Sequence, residues 1–144
     1  DGITDIIIAG MGGELISVIL SQKPLGDINL VLQPMTKAPS LRRFLAENGF
    51  ELLGETAVEE SGRLYTVMNA VFTGKKHEIS ELEALVGKLS PSEEVANRML
   101  LGISEKLKKE SDALKTSGNM EQSEHRRSLS EWIKNFAENG GSIV

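Results

Sequence analysis

Thr4-Asp5-Ile6-Ile7-Ile8-Ala9-Gly10-Met11-Gly12-Gly13 is the stretch on which the fold turns. Its first six residues, 4–9, form a β-branched, apolar run of the kind that suits a strand buried on both faces of a parallel sheet. The glycines then stop it. Leu15, Ile16, Val18, Ile19 and Leu20 follow at spacings that suit a short, largely buried helix. Residues 28–33, Ile-Asn-Leu-Val-Leu-Gln, read as a second buried strand closed by Pro34. Pro39 suits the first turn of a helix. Leu41, Phe44 and Leu45 give that helix one apolar face, and Asn48-Gly49 stops it. Strand, Gly-rich turn, helix, strand, helix is the α/β alternation, with right-handed crossovers.

Residues 51–59 and 63–73 are two further strand candidates joined by Glu60-Ser61-Gly62, which predicts a hairpin and hence an antiparallel edge on a parallel sheet. From Lys75 onward the spacing is helical, so the expected division is 1–74 for the sheet and 75–144 for a helical tail. Ser80 with Glu83 fits a capping box, and Ser90-Pro91-Ser92-Glu93 fits another with Pro at the first helical position. Val95, Met99, Ile103 and Leu107 recur every four residues, with Leu100 and Leu114 beside them. Ser117-Gly118-Asn119 breaks this helix. Leu129, Trp132, Ile133 and Phe136 form a second stripe ended by Asn139-Gly140-Gly141, which predicts an antiparallel helical hairpin.

The 144 residues suffice for one core, burying roughly two-thirds of the surface the unfolded chain exposes. Apolar residues make up 40% and charged residues 26%, an ordinary globular composition that excludes wholesale disorder. There is no Cys, which excludes disulfides and cysteine-based metal, redox or nucleophile chemistry. No apolar run approaches the ~20 residues of a membrane span, and no signal peptide opens the chain. A cytoplasmic, membrane-free protein is expected. The first residue is Asp, not Met, so the chain reads as cut from something longer. The net charge of -5 argues against indiscriminate nucleic-acid binding and leaves local basic patches open. In the tail, Lys and Arg alternate with Asp and Glu, as on a solvated hairpin.

Gly10-Met11-Gly12-Gly13 directly follows the first strand. Ligands of open α/β sheets bind at the carboxyl ends of parallel strands. Glycine lets backbone approach a ligand and turn through positive φ, and N–H groups at the next helix start can face a polar or anionic group. The pattern is not G-x-G-x-x-G, since Leu15 stands in the third glycine's place, and it equally suits a tight strand-to-helix turn. Gln33-Pro34 ends the second strand, where an amide side chain can hydrogen-bond a base. Arg42 and Arg43 lie early in the next helix, where a guanidinium can meet phosphate or simply face water. Tyr65, the only Tyr, suits base stacking or a half-buried strand position. His77 and His125 have no partner at metal-ligand spacing, so no metal site is expected.

Three segments together resemble a known family: Ile6–Gly13, Leu30–Pro34 with Leu41-Arg42-Arg43-Phe44-Leu45 and Gly49-Phe50, and the Glu55–Tyr65 segment that ends Gly62-Arg63-Leu64-Tyr65. They resemble the bacterial tRNA (adenine-N1)-methyltransferases that modify position 22 of tRNA, the TrmK family. The resemblance covers residues 1 to about 73, and the tail matches in kind, since the family carries a coiled-coil-like helical hairpin. It implies an α/β fold: part of a Rossmann-like class I methyltransferase sheet, parallel with an antiparallel edge hairpin, followed by a C-terminal helical hairpin. It implies S-adenosylmethionine as methyl donor and tRNA as partner. Gly10, Met11, Gly12 and Gly13 would match the family's loop after its fourth strand, beside the donor. Gln33 and Pro34 would follow its fifth strand, and with Arg42, Arg43 and Tyr65 they make the expected substrate-binding set. No residue is assigned a catalytic acid or base role. The family's first half supplies the Gly-rich donor loop and two acidic residues, and these 144 residues hold no counterpart. The isolated chain is therefore expected to be inactive, to bind the donor weakly or not at all, and to dimerise through the edge of residues 4–9 or cover that edge with its own tail. Two other functions fit the residues: a non-catalytic RNA- or protein-binding module, and another nucleotide-binding Rossmann fragment, which should show a dinucleotide fingerprint.

Overall fold

The elements run β1 (Asp5–Met11), α1 (Gly13–Ser21), β2 (Asn29–Pro34), α2 (Ala38–Glu47), β3 (Phe50–Glu60), β4 (Arg63–Phe72), α3 (Glu81–Val86), α4 (Glu94–Thr116) and α5 (Met120–Asn139). They are seen in a computed structural model that describes residues 2–22 and 26–141. The strands form one sheet in the order β1-β2-β4-β3. β1 runs parallel to β2, with Ile6 opposite Leu30 and Ile8 opposite Leu32. β4 runs antiparallel to both β2 and β3. Glu60 faces Arg63 across a two-residue turn. Ser61 and Gly62 both have positive φ, 50° and 78°, the requirement of the tight hairpin turn that matches strand twist. The α/β alternation and the edge hairpin thus stand as expected.

Alternation places Ile8, Leu30, Leu32, Met68 and Ala70 on one sheet face, where Ile16 and Leu20 of α1 and Leu41 and Leu45 of α2 complete the core. The other face differs from expectation. Ile8 is 8% exposed but Ile7 is 72% exposed, because α1 and α2 both pack on the Ile8 side and β1 is an edge strand. Helix α1 is likewise buried only at Gly13, Ile16 and Leu20, and turns Leu15, Val18 and Ile19 outward. At the amino end of β1, the Thr4 hydroxyl and the Asn29 amide donate to Asp5 and hold its carboxyl below the usual range.

Pro39 lies in the first turn of α2, and Asn48 caps its end ahead of Gly49, which has φ +81°. Ser80 and Glu83 form the expected capping box at the start of α3. The second box does not form. Ser90 Oγ bonds Ser92 Oγ at 2.8 Å, residues 91–93 stay outside the helix, and α4 begins at Glu94 without a side-chain cap.

Contacts divide the chain into two compact units, Asp1–Leu89 and Ser90–Val144. Helix α3, placed with the tail by the 74/75 division, packs on α2 in the first unit. In the second unit α4 and α5 form the antiparallel hairpin. Leu129, Ile133 and Phe136 of α5 are buried as expected. The buried line of α4 is Ala96, Leu100, Ser104, Leu107 and Ser111, so Val95, Met99 and Ile103 flank the seam at half exposure. At the seam, Asn97, Ser104 and Ser111 step every seventh residue and meet Ala137, Ser130 and Ser123. Each serine of a facing pair donates to the other's carbonyl at 2.7–2.8 Å.

Candidate ligand cleft

The parallel strands β1 and β2 end side by side, at Met11 and Pro34. The strand ends and the segments that leave them are joined by three hydrogen bonds. The Gly10 N–H donates to Gln33 Oε1 at 3.0 Å. The Met35 N–H donates to the Met11 carbonyl at 2.8 Å, and the Gly13 N–H donates to the Thr36 carbonyl at 2.7 Å. Gly10, Met11, Gly12, Gly13, Gln33 and Pro34 therefore gather at one carboxyl edge, as the run-ending positions of both segments suggest.

Each glycine has a separate reason. Gly10 has φ +75° and makes the register irregularity between Ala9 and Met11. Nothing lies within 4 Å of where its Cβ would sit, so its backbone is open to approach. Gly12 precedes α1 in an extended conformation, and a Cβ there would meet Thr36 Oγ1 at 3.0 Å. Gly13 is buried, and a Cβ would lie 2.5 Å from the Lys37 carbonyl oxygen. Its N–H is spent on Thr36 and does not face outward. Lys37 itself is left-handed, φ 59° and ψ 37°, at the cap of α2, a conformation uncommon for a side-chain-bearing residue. Thr36 and Lys37 are the residues that the sequence reading missed, since nothing in their side chains signals a carbonyl turned toward a glycine in another loop.

Gln33 gives its oxygen to Gly10, and its Nε2 reaches the Met35 sulfur, at 3.6 Å. Pro34 is buried at the end of β2. Tyr65 lies on β4 three residues before Met68, whose partner on β2 is Leu32. Tyr65 is half-buried and, by strand alternation, shares its sheet face with Gln33.

Arg42 is not part of this edge, which corrects the expectation that it meets phosphate. It is 4% exposed and grips Glu55 with both Nε and Nη2 at 2.8 Å. Its Nη1 donates to the carbonyls of Ala84 and Leu85. Thr66 Oγ1 and the Lys88 N–H donate to the same Glu55 carboxylate. Gly87, with φ +60°, leaves room for this pair that a Cβ would occupy. The network fastens α2 and α3 to the sheet. Arg43, one residue on, is exposed. Among the described residues no group of three His, Asp or Glu is placed to hold a metal ion, and no helix is long and apolar enough to cross a membrane.

The model of the family described as tRNA (adenine(22)-N(1))-methyltransferase, TrmK, matches residues 1–138. A Bacillus subtilis tRNA (adenine(22)-N(1))-methyltransferase is 41% identical over 68 residues, covering 45% of this chain and 29% of the relative. A Streptococcus agalactiae protein of the NADB-Rossmann superfamily superposes with a TM-score of 0.73 at 26% identity, over 90% of this chain and 59% of that one. The M. capricolum TrmK solved with S-adenosyl-homocysteine superposes with a TM-score of 0.67 at 16% identity, over 90% and 59%. The chain thus spans about three-fifths of the length of these solved structures. An α/β sheet of Rossmann type, a Gly-rich turn stitched to the neighbouring strand end, and a family match over residues 1–138 place the chain in the tRNA (adenine(22)-N(1))-methyltransferase family, TrmK.

Proposed function

We propose that this chain forms part of an S-adenosylmethionine-dependent methyltransferase that acts on N1 of adenine 22 in tRNA. The observation that carries the proposal is the joining of the Gly10–Gly13 and Gln33–Lys37 loops at the carboxyl ends of two parallel strands, where α/β sheets take their ligands. The M. capricolum relative holds S-adenosyl-homocysteine, the product such a donor leaves. When bound, S-adenosylmethionine supplies a methyl carbon made electrophilic by its sulfonium sulfur, for the adenine N1 lone pair to take.

Because that nitrogen is already nucleophilic, the work of the protein is orientation, and no covalent intermediate is required. In this proposal Gly10 offers bare backbone to the ligand, and Gln33 fixes Gly10 by accepting its N–H. Gln33 Nε2, which meets the Met35 sulfur at 3.6 Å, is the donor a ligand would compete for. Pro34 sets the exit of β2. Tyr65 offers a ring to an adenine that is extruded or already unpaired, as access to its N1 requires. Arg43 offers charge to the RNA backbone. The donor's remaining contacts belong to the part of the protein outside these 144 residues, so the isolated chain binds the donor weakly and is inactive.

The test is a chimera of the Bacillus subtilis relative in which residues 1–73 of this chain replace their counterpart. Methyl transfer to a tRNA transcript with adenine at position 22, absent when that base is guanine, is the expected result. A folded chimera that binds the transcript and transfers nothing would count against the proposal.

A further inference from the structure

Gln33 uses the two ends of its carboxamide unequally. Its Oε1 takes the Gly10 N–H at 3.0 Å, and its Nε2 donates to the Met35 sulfur at 3.6 Å. A thioether is a weak acceptor, so the second contact holds the amide in place yet is cheap to break. Both partners start from fixed backbone. Gln33 pairs with Ala9 across the β1–β2 ladder. The Met35 N–H donates to the Met11 carbonyl at 2.8 Å, directly after the rigid ring of Pro34. The fold itself brings this sulfur and this amide together.

The sequence holds five methionines and no cysteine, so thioethers are its only oxidisable sulfur. Met68 is fully buried in the sheet core, and Met99 is half-buried on α4. Met11, Met35 and Met120 are exposed, Met35 at 40%. Met35 is set apart by its sulfur's bond to a side chain of the ligand edge. With a hydroperoxide, the sulfur lone pair attacks one peroxide oxygen and the O–O bond breaks. The sulfur is oxidised to a sulfoxide, and the peroxide is reduced to water or an alcohol. The new oxygen is polar and one bond out from the sulfur. The rotatable methionine side chain can turn it to the same Nε2.

We propose that Met35 is an oxidation site that controls the ligand edge: its sulfoxide captures the Gln33 amide and denies the bound ligand a donor that the thioether gives up readily. The inference rests on the function proposed above and adds a regulation of that site. Replacing an N–H···S partner by an N–H···O partner strengthens the competitor by one ordinary hydrogen bond, which lowers ligand affinity by about threefold to tenfold. A reductase restores the thioether by passing the oxygen to water while two thiols become a disulfide, so the control is reversible.

The test treats the 144-residue chain with hydrogen peroxide. Peptide mass mapping should find one added oxygen at Met35 and none at Met68. The Gln33 Nε2 protons, followed by NMR, should move downfield as Met35 oxidises. They should return after treatment with the two methionine sulfoxide reductases, one for each epimer. In Met35→Leu, which keeps Met11 and Met120, peroxide should leave them where they are. In the chimera, affinity for S-adenosyl-homocysteine by calorimetric titration should fall by about threefold to tenfold on oxidation and recover on reduction. Peroxide should not change it in the Met35→Leu chimera. Met35 left unoxidised when Met120 is fully converted, Gln33 protons that do not move, an oxidised chimera that binds as tightly as before, or a loss of affinity that persists in Met35→Leu would overturn the inference. A Gln33 response in the 144-residue chain, beside an untreated chimera that binds no S-adenosyl-homocysteine, supports the oxidation site and overturns the proposed function.

Discussion

Gly13 and Thr36 are joined by a 2.7 Å hydrogen bond from amide to carbonyl, and the next carbonyl, that of Lys37, lies 2.5 Å from where a Gly13 Cβ would be. The contact is backbone against backbone, so no side chain can swing away. Gly13→Ala must push the loops apart, at a cost of about 1–3 kcal/mol. Gly10→Ala meets no neighbour but must hold φ +75°, at about 1–2 kcal/mol. Urea unfolding of the two variants should rank them in that order, and in the chimera Gly13→Ala should also depress methyl transfer.

Removing one member of the Arg42–Glu55 pair leaves the other charged, buried and unpaired. Arg42→Ala should cost about 3–5 kcal/mol. Arg42→Lys should recover little, since a single ammonium cannot serve both carboxylate oxygens and the carbonyls of Ala84 and Leu85. Chemical denaturation of both variants checks this, and a loss under 1 kcal/mol for Arg42→Ala would show that the pair does not close the first unit.

Arg43 should behave in the opposite way. Being exposed, it should change stability by less than about 0.5 kcal/mol on substitution by Ala. In the chimera, Arg43→Ala should weaken tRNA binding and lower the slope of log affinity against log salt by about one. An unchanged slope would make Arg43 a solvated helix residue with no phosphate partner.

Facing Ser104 and Ser130 each give a hydroxyl proton to the other's carbonyl at 2.7 Å, so the seam of α4 and α5 has been filled by small residues. Ser104→Ala removes one hydrogen bond, and should cost about 1 kcal/mol. Ser104→Leu is more apolar yet should cost more, by about 1–3 kcal/mol, because the extra volume has nowhere to go. Thermal melts followed by helical circular dichroism give the order. A Leu variant as stable as wild type would mean that the helices are not closely packed there.

What was legible in the sequence was local. The Ser80–Glu83 cap and the Ser117-Gly118-Asn119 break depend on residues a few positions apart and form as read; the strand of 4–9 forms but is covered on one face only, and the Glu60-Ser61-Gly62 hairpin forms with Glu60 paired to Arg63 and only Ser61 and Gly62 in the turn. The expectations that changed depend on distant neighbours. Ile7 carries the same apolar signal whether or not a helix covers it. Arg42 reads as a surface cation because its partner Glu55 is on the next strand and its other acceptors are on α3. Ser104 and Ser111 read as polar, yet the seam selects them for size. At the candidate cleft, the glycines and Gln33 were legible because strand ends place them. Thr36 and Lys37 were not, because they contribute carbonyls and backbone shape.

The most direct test of the cleft is hydrogen exchange on the chimera with and without S-adenosyl-homocysteine. Slowed exchange confined to residues 10–13 and 33–37, with residues 50–54 of β3 unchanged, is the result expected if the two joined segments form the wall against which the methyl donor sits. Saturating ligand that leaves the amides of 10–13 and 33–37 exchanging as before would contradict it.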